Sequence, residues 1–191
     1  MDKTIVIVGV KHCGKTTQGE LLAKHYRCPF YDTDSVITDM TGRTPRELYA
    51  ESGQEAFMRA EAQACRFLAQ ELSDAERQAV VATGGGVCDN NEAVRVLKTL
   101  GPFLLLFAEE EAAYRRIVYD ARMTEEGTIA NLPAYLACHN PRSFDEVQSL
   151  FHEFYEERMK KYTAIADTVF FAEPVSIEEN SRRLIALCDT L

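Results

Sequence analysis

No apolar run in this 191-residue chain approaches the roughly 20 residues that a membrane span requires. Met1-Asp2-Lys3 leads straight into a short strand-like run, with no signal-peptide pattern, so a cytoplasmic protein is expected. The six cysteines (Cys13, Cys28, Cys65, Cys88, Cys138 and Cys188) are scattered without CxxC spacing, which excludes a zinc site and a disulfide frame and leaves free thiols. The four histidines also lack ligand spacing, and His12 reads as a solvent-facing loop residue. A net charge of −9 speaks against a broad nucleic-acid or acidic-membrane surface and leaves room for a local basic site. There is no internal repeat, low-complexity tract or linker. Residues 1–191 therefore read as one domain, long enough for a substantial core and expected to be a monomer.

What is present is an alternation of two patterns. β-branched apolar runs of strand length occur at Thr4–Val8, Ala79–Ala82, Phe103–Phe107 and Thr168–Phe171, with a shorter Pro29-Phe30-Tyr31. Helical patterns lie between them: Thr17–Tyr26, Pro45–Ala50, Gln54–Glu71, Asn91–Thr99, Glu109–Tyr119, Phe144–Tyr162 and Ile177–Leu187. Continuously apolar strands alternating with helices predict an α/β fold, a parallel sheet covered on both faces. Ligands of such sheets sit beyond the carboxyl ends of the strands. Gly9–Thr17, Asp32–Asp34 and Gly84–Gly86 each follow a strand-like run directly, so they are expected to converge on one cleft. Arg122–Arg142, with Gly127, Pro133 and Pro141, is the least periodic stretch and reads as a long mobile segment.

Gly9-x-x-x-x-Gly14-Lys15-Thr16 has the spacing of a phosphate-binding P-loop. Glycines let successive backbone N–H groups turn inward toward phosphate oxygens. The helix that starts at about Thr16 adds unpaired donors and a positive dipole end. Residues His12, Cys13, Gly14, Lys15, Thr16 and Thr17 are thus assigned to ATP, with Lys15 on the β- and γ-phosphates and the Thr16 hydroxyl on Mg²⁺. His12 and Cys13 read as spacers, although a thiol beside a helix N-terminus is also a place for a lowered pKa. In Tyr31–Ile37, Asp32 is suited to a Mg²⁺-bound water and Asp34 to orienting a substrate hydroxyl for in-line attack; an Asx turn or helix N-cap is the alternative for Asp34. Three glycines at Gly84–Gly86 let a small molecule touch backbone N–H groups.

With these motifs in this order, nearly the whole chain resembles the shikimate kinase family of small P-loop kinases. The resemblance also takes in Thr41–Phe57 ("TGRTPRELYAESGQEAF") and Glu157–Asp167 ("ERMKKYTAIAD"). It implies a three-layer fold with a five-stranded parallel sheet and a mobile lid, placed at about 117–143. It implies ATP and Mg²⁺ as cofactors and shikimate as acceptor. It gives Lys15 and Asp34 catalytic roles and assigns the substrate to Asp34, Gly84, Gly85, Gly86 and Arg158. Arg158 would pair with the substrate carboxylate, since a guanidinium matches a carboxylate bidentately. Tyr49 and Phe57 would line the apolar side of the pocket, and Arg116 would pack on adenine.

Two departures stand out. The family's Phe-Arg pair is Phe57-Met58 here, with an arginine one step later at Arg59. One helical step turns a side chain by about 100°. Arg59 therefore reads either as a second substrate contact reached by its long side chain or as a surface arginine paired with Glu55 or Glu61. The family's Arg-Pro-Leu lid segment is also missing; Arg122 is favoured as the lid arginine, with Arg142 the alternative. Both losses fall on the acceptor side. Other hydroxylated acids, sugars, polyols or nucleoside monophosphates therefore stay open as acceptors, with Arg43, Arg46, Arg59 and Arg66 available for a phosphate. A non-catalytic nucleotide-binding regulator is the reading from another class.

Overall fold

The computed structural model describes residues 3–119 and 121–191. Met1 and Asp2, read above for a leader pattern, and Asp120, inside the expected lid, lie outside the described residues. Five strands form one parallel sheet: β1 (Ile5–Val8), β2 (Phe30–Asp32), β3 (Val80–Ala82), β4 (Phe103–Phe107) and β7 (Thr168–Phe171), in the order β2-β3-β1-β4-β7. β1 at the centre is buried at every position, which requires cover on both faces. That cover comes from α1 (Lys15–Tyr26), α2 (Thr33–Thr41), α3 (Pro45–Asp74), α4 (Asn91–Lys98), α5 (Glu110–Tyr119), α7 (Phe144–Ile165) and α8 (Ile177–Cys188). α1 packs on β3 and α8, α3 on α2 and α4, and α7 on β4 and α5. The expected α/β fold is thus the observed one.

The strand order positions the site. β2, β3 and β1 are direct neighbours and run the same way, with Asp32 level with Ala82 and Ala82 level with Ile7. The segments that leave their carboxyl ends must therefore emerge side by side. These are the same three segments that the sequence marks: Asp32–Asp34, Gly84–Gly86 and Gly9–Thr17.

Three local features differ from the sequence reading. Thr33–Thr41 is a full helix, buried through Thr33, Val36 and Ile37. Its N-cap is Asp32, whose carboxylate accepts from the Asp34 amide at 2.9 Å, so the capping role considered for Asp34 belongs to its neighbour. The patterns at Pro45–Ala50 and Gln54–Glu71 are two helical arms of α3, joined through Gly53 at φ 79°, a left-handed value suited to glycine. The first arm starts at a capping box in which Thr44 and Glu47 exchange hydrogen bonds.

The third difference is Arg122–Arg142. Far from lacking structure, it carries the hairpin β5 (Arg122–Met123) and β6 (Ile129–Ala130) and the single turn α6 (Ala134–Ala137). It is anchored by Ile129, Leu132 and Leu136, all buried. Two-residue strands and a four-residue helix are too short to leave a periodic signal, so three spaced apolar residues carry the ordering instead.

Candidate active site

The P-loop wraps the mouth of a large cleft of about 1150 Å³ whose walls include Gly14, Lys15, Thr16, Asp32, Arg115 and Arg116. Gly14 stands before α1 at φ 105°, with no side chain capping the helix, and His12 is also left-handed at φ 64°. The first-turn N–H groups of α1 thus open onto the cleft, as anion binding requires. Lys15 is buried, and its ammonium donates to the carbonyls of Gly9 at 3.0 Å and Val10 at 2.9 Å. The Thr16 hydroxyl donates to Asp32 Oδ2 at 2.8 Å. His12, Cys13 and Thr17 line the same cleft. Arg116 reaches across from α5 and donates to the His12 carbonyl at 2.7 Å, tying the loop to the cleft wall.

Beside it lies a smaller cavity of about 280 Å³, a volume suited to one small molecule. Asp34, Glu61, Gly84–Gly86 and Arg158 form its polar wall, and Tyr49 and Phe57, with ring centres 6.2 Å apart, part of its apolar one. The bend at Gly53 lets these two rings, eight residues apart on α3, meet. Leu132, Pro133 and Tyr135 of the Arg122–Arg142 segment, where the resemblance implies a lid, close another side.

The triple glycine is wedged among functional groups on every side. A Cβ on Gly84 would lie 2.7 Å from Asp34 Oδ1, one on Gly85 2.7 Å from the Lys11 amide nitrogen, and one on Gly86 3.1 Å from Arg158 Nη2. Arg158 is held ready: Asp89 faces its Nε at 3.4 Å, and its guanidinium stacks over Tyr135 at 4.5 Å and Phe154 at 5.6 Å. Asp89, on the 3₁₀ turn directly after the glycines, also takes Lys161 at 2.6 Å.

Two expected substrate or lid contacts are not brought to the site. Arg59 lines neither cavity; it is largely exposed and pairs with Glu55 at 3.6 Å, one helical turn back. The 100° step from position 58, where the family's arginine would stand, to Arg59 explains this. Arg122 also lines neither cavity, because its guanidinium donates to the Tyr119 carbonyl at 2.9 Å and the Ala121 carbonyl at 2.7 Å, serving the orphan acceptors beyond α5. Arg142 is no nearer, with its backbone N–H on Glu146 and its guanidinium reaching the Gly127 carbonyl. In their place stands Arg46, one turn before Tyr49, which lines the smaller cavity. Its neighbours Arg43 and Arg59 are paired with Glu51 and Glu55, whereas Arg46 has no hydrogen-bond or ion-pair partner among the described residues.

Glu61, read from the sequence only as a possible surface partner of Arg59, lies instead in the wall of the smaller cavity. It is only 1% exposed, and its Oε2 accepts from Asn90 at 2.9 Å while Oε1 has no partner among the described residues. The same Asn90 amide donates to the Met58 carbonyl at 2.8 Å. Glu61 lies four residues after Phe57, on one helix face with it, and that spacing is the signal that could have found it. Burial raises its carboxyl to about 7, the Asn90 hydrogen bond opposing and the charges of Asp34 and Asp89 adding. Burial, then the charge of Asp32, also raises Asp34, while Lys11 and Lys15 pull it back.

Two outcomes follow from this packing. In Gly85→Ala the new methyl meets Lys11 backbone, which cannot yield cheaply. Stability should fall by about 1–3 kcal/mol and turnover on the order of 100-fold. Gly127→Ala, in open space at φ 72°, should lose about 1 kcal/mol and keep its turnover. Glu61 titrates near 4.5 in an unfolded chain and near 7 when folded. The folded state therefore holds the proton longer, and this group's contribution falls as pH rises through that window and is flat above it. Against Glu61→Gln, wild-type stability in urea titrations should decline by up to about 3 kcal/mol between pH 5 and 8. Parallel stability curves would contradict that.

The comparisons with known proteins point to one family. A model of the shikimate kinase family matches residues 11–188. A shikimate kinase of Syntrophus aciditrophicus (strain SB) is 32% identical over 179 residues, covering 93% of this chain and 87% of that protein. One of Enterococcus faecalis (strain ATCC 700802 / V583) is 31% identical over 161 residues, covering 83% of this chain and 86% of the other. Among solved structures, shikimate kinase from Acinetobacter baumannii in complex with shikimate has a TM-score of 0.78 at 23% identity, over 98% of this chain and 93% of that one. That of Aquifex aeolicus vf5 has 0.69 at 24%, over 97% and 96%. At such identities the structural likeness is one of fold. With most of its length matched by the family model and by a relative above 30% identity, the chain belongs to the shikimate kinase family.

Proposed function

We infer that this chain transfers the γ-phosphoryl group of ATP to a hydroxyl of shikimate, giving shikimate 3-phosphate and ADP. The observation that carries the reading is that the two cavities touch. Lys11, His12, Asp34 and Gly85 stand in the walls of both. A nucleotide in the larger cleft and a small acid in the smaller cavity would therefore meet at Asp34.

The roles follow from placement. The P-loop amides, Lys15 and the α1 N-terminus hold the phosphates. Asp34 accepts the proton of the acceptor hydroxyl as its oxygen bonds to the γ-phosphorus. The bond from that phosphorus to the β,γ-bridging oxygen breaks, and its electron pair leaves with ADP. A carboxylate raised by burial is a better proton acceptor than a free one. Mg²⁺ fits the donor set, since it takes oxygen ligands and keeps waters instead of needing a full protein cage. Thr16 and Asp32 present two such oxygens 2.8 Å apart. No cluster of three or more His, Cys, Asp or Glu side chains suited to a metal occurs among the described residues. When bound, the ion would neutralise charge on the phosphate oxygens. For the substrate carboxylate, Arg158 is the first anchor. Arg46, at the cavity wall without an ion-pair partner among the described residues, is the second, in place of the arginine that Met58 replaces. No helix among the described residues is long and apolar enough to cross a membrane.

A coupled ADP-release assay with MgATP tests the acceptor, comparing shikimate with quinate, gluconate and nucleoside monophosphates. Fast turnover on shikimate is expected; silence there with turnover on another acceptor would overturn the reading. In the same assay Arg46→Ala should raise the shikimate KM on the order of 10-fold, from a lost charged hydrogen bond, while Arg59→Ala leaves it unchanged. The reverse order would return the second anchor to Arg59.

A further inference from the structure

The transferring phosphoryl group gathers negative charge, and something must face it from the acceptor side of the P-loop. Neither lid arginine is in place to do so: Arg122 and Arg142 are bonded to backbone carbonyls outside both cavities. Of the four residues common to both cavity walls, Lys11 is the cationic one. Its backbone is pinned, because Gly85 lies so close that any Cβ there would be within 2.7–2.9 Å of the Lys11 N, Cα and Cβ. Its ammonium has no hydrogen bond or close ion pair among the described residues, in contrast to Lys98 and Lys161, which are paired with Asp167 and Asp89. The charge nearest in effect is Asp34, and Lys11 is in turn the cation that acts most strongly on Asp34.

We propose that Lys11 is a further catalytic residue, whose ammonium neutralises charge on the phosphoryl group as it passes from ATP to the acceptor held by Asp34. This rests on the phosphotransfer reading above. The atoms balance as written there: the acceptor oxygen gains the phosphorus, ADP takes the bonding pair, Asp34 takes the proton, and Lys11 stays protonated throughout. Burial lowers the Lys11 pKa, Asp34 opposes, and the positive charges of Lys15, Arg46 and Arg158 add to the lowering. An ammonium in such company gains most when a phosphate arrives between these cations. The loop device also explains how the chain could manage without the Arg-Pro-Leu segment of its family: the cation sits on the P-loop itself.

The test compares Lys11→Met with Lys11→Arg and Arg122→Ala. For Lys11→Met, kcat should fall on the order of 100-fold, with both KM values within about threefold. Lys11→Arg should restore most of it, and Arg122→Ala should stay near wild type. Titration calorimetry supplies a reading that needs no acceptor. ADP with magnesium and aluminium fluoride, which mimics the phosphoryl group in flight, should bind Lys11→Met on the order of 100-fold more weakly, while MgADP alone binds both proteins equally. Equal MgADP affinity also certifies that the variant's loop is folded. Unchanged aluminium fluoride binding in Lys11→Met, or a loss carried by Arg122→Ala, would overturn the proposal. Wild-type silence on shikimate with the aluminium fluoride difference intact would fail the acceptor reading alone.

Discussion

The contact between Gly85 and the Lys11 backbone is the constraint on which the site depends. It presses the loop after β3 onto the loop after β1, with no room for a side chain between them. Because β3 and β1 are neighbours in the sheet, the contact costs no long connection. It joins a phosphate-binding loop, whose design is electrostatic, to a loop that packs on Asp34 and Arg158 and so borders the acceptor. Loosening either loop would separate donor from acceptor, and phosphoryl transfer depends on positioning more than on any covalent step by the protein.

Charge is distributed around that contact with an economy of partners. Several cations at the periphery are paired with carboxylates, among them Arg43 with Glu51, Arg59 with Glu55 and Lys98 with Asp167. The cations that line the smaller cavity are less fully neutralised. Lys11 and Arg46 lack close partners among the described residues, and Arg158 shares Asp89 with Lys161. A chain with net charge −9 thus keeps a local positive field at one place, where it would bring in an anionic acid and a nucleotide. Glu61, its proton retained by burial to about 7, adds little negative charge of its own to that field below neutral pH.

Much of the site was legible in the sequence because its signals are local. The P-loop spacing, Asp32 and Asp34 after a strand and three consecutive glycines each declare a backbone requirement within a few residues. The strands and the long helices were legible for the same reason, through hydrophobic period. What escaped was long-range or very short. Arg46 and Glu61 matter through the cavity they share with Arg158, more than 90 residues away, and no periodicity encodes that. The fold of Arg122–Arg142 escaped because two-residue strands leave no pattern. Arg59 and Arg122 illustrate the opposite error: residue type at roughly the right position suggested a contact, but helical phase turned one to Glu55 and free carbonyls beyond α5 captured the other.

The central claim is that the two cavities form one reaction site. The most direct measurement is ³¹P NMR of the protein with MgATP and shikimate. The account predicts that the γ-phosphate signal is replaced one for one by a phosphomonoester on the acceptor, with ADP rising in step. Conversion of the γ-phosphate to inorganic phosphate alone, or persistence of ATP despite saturating shikimate, would contradict it.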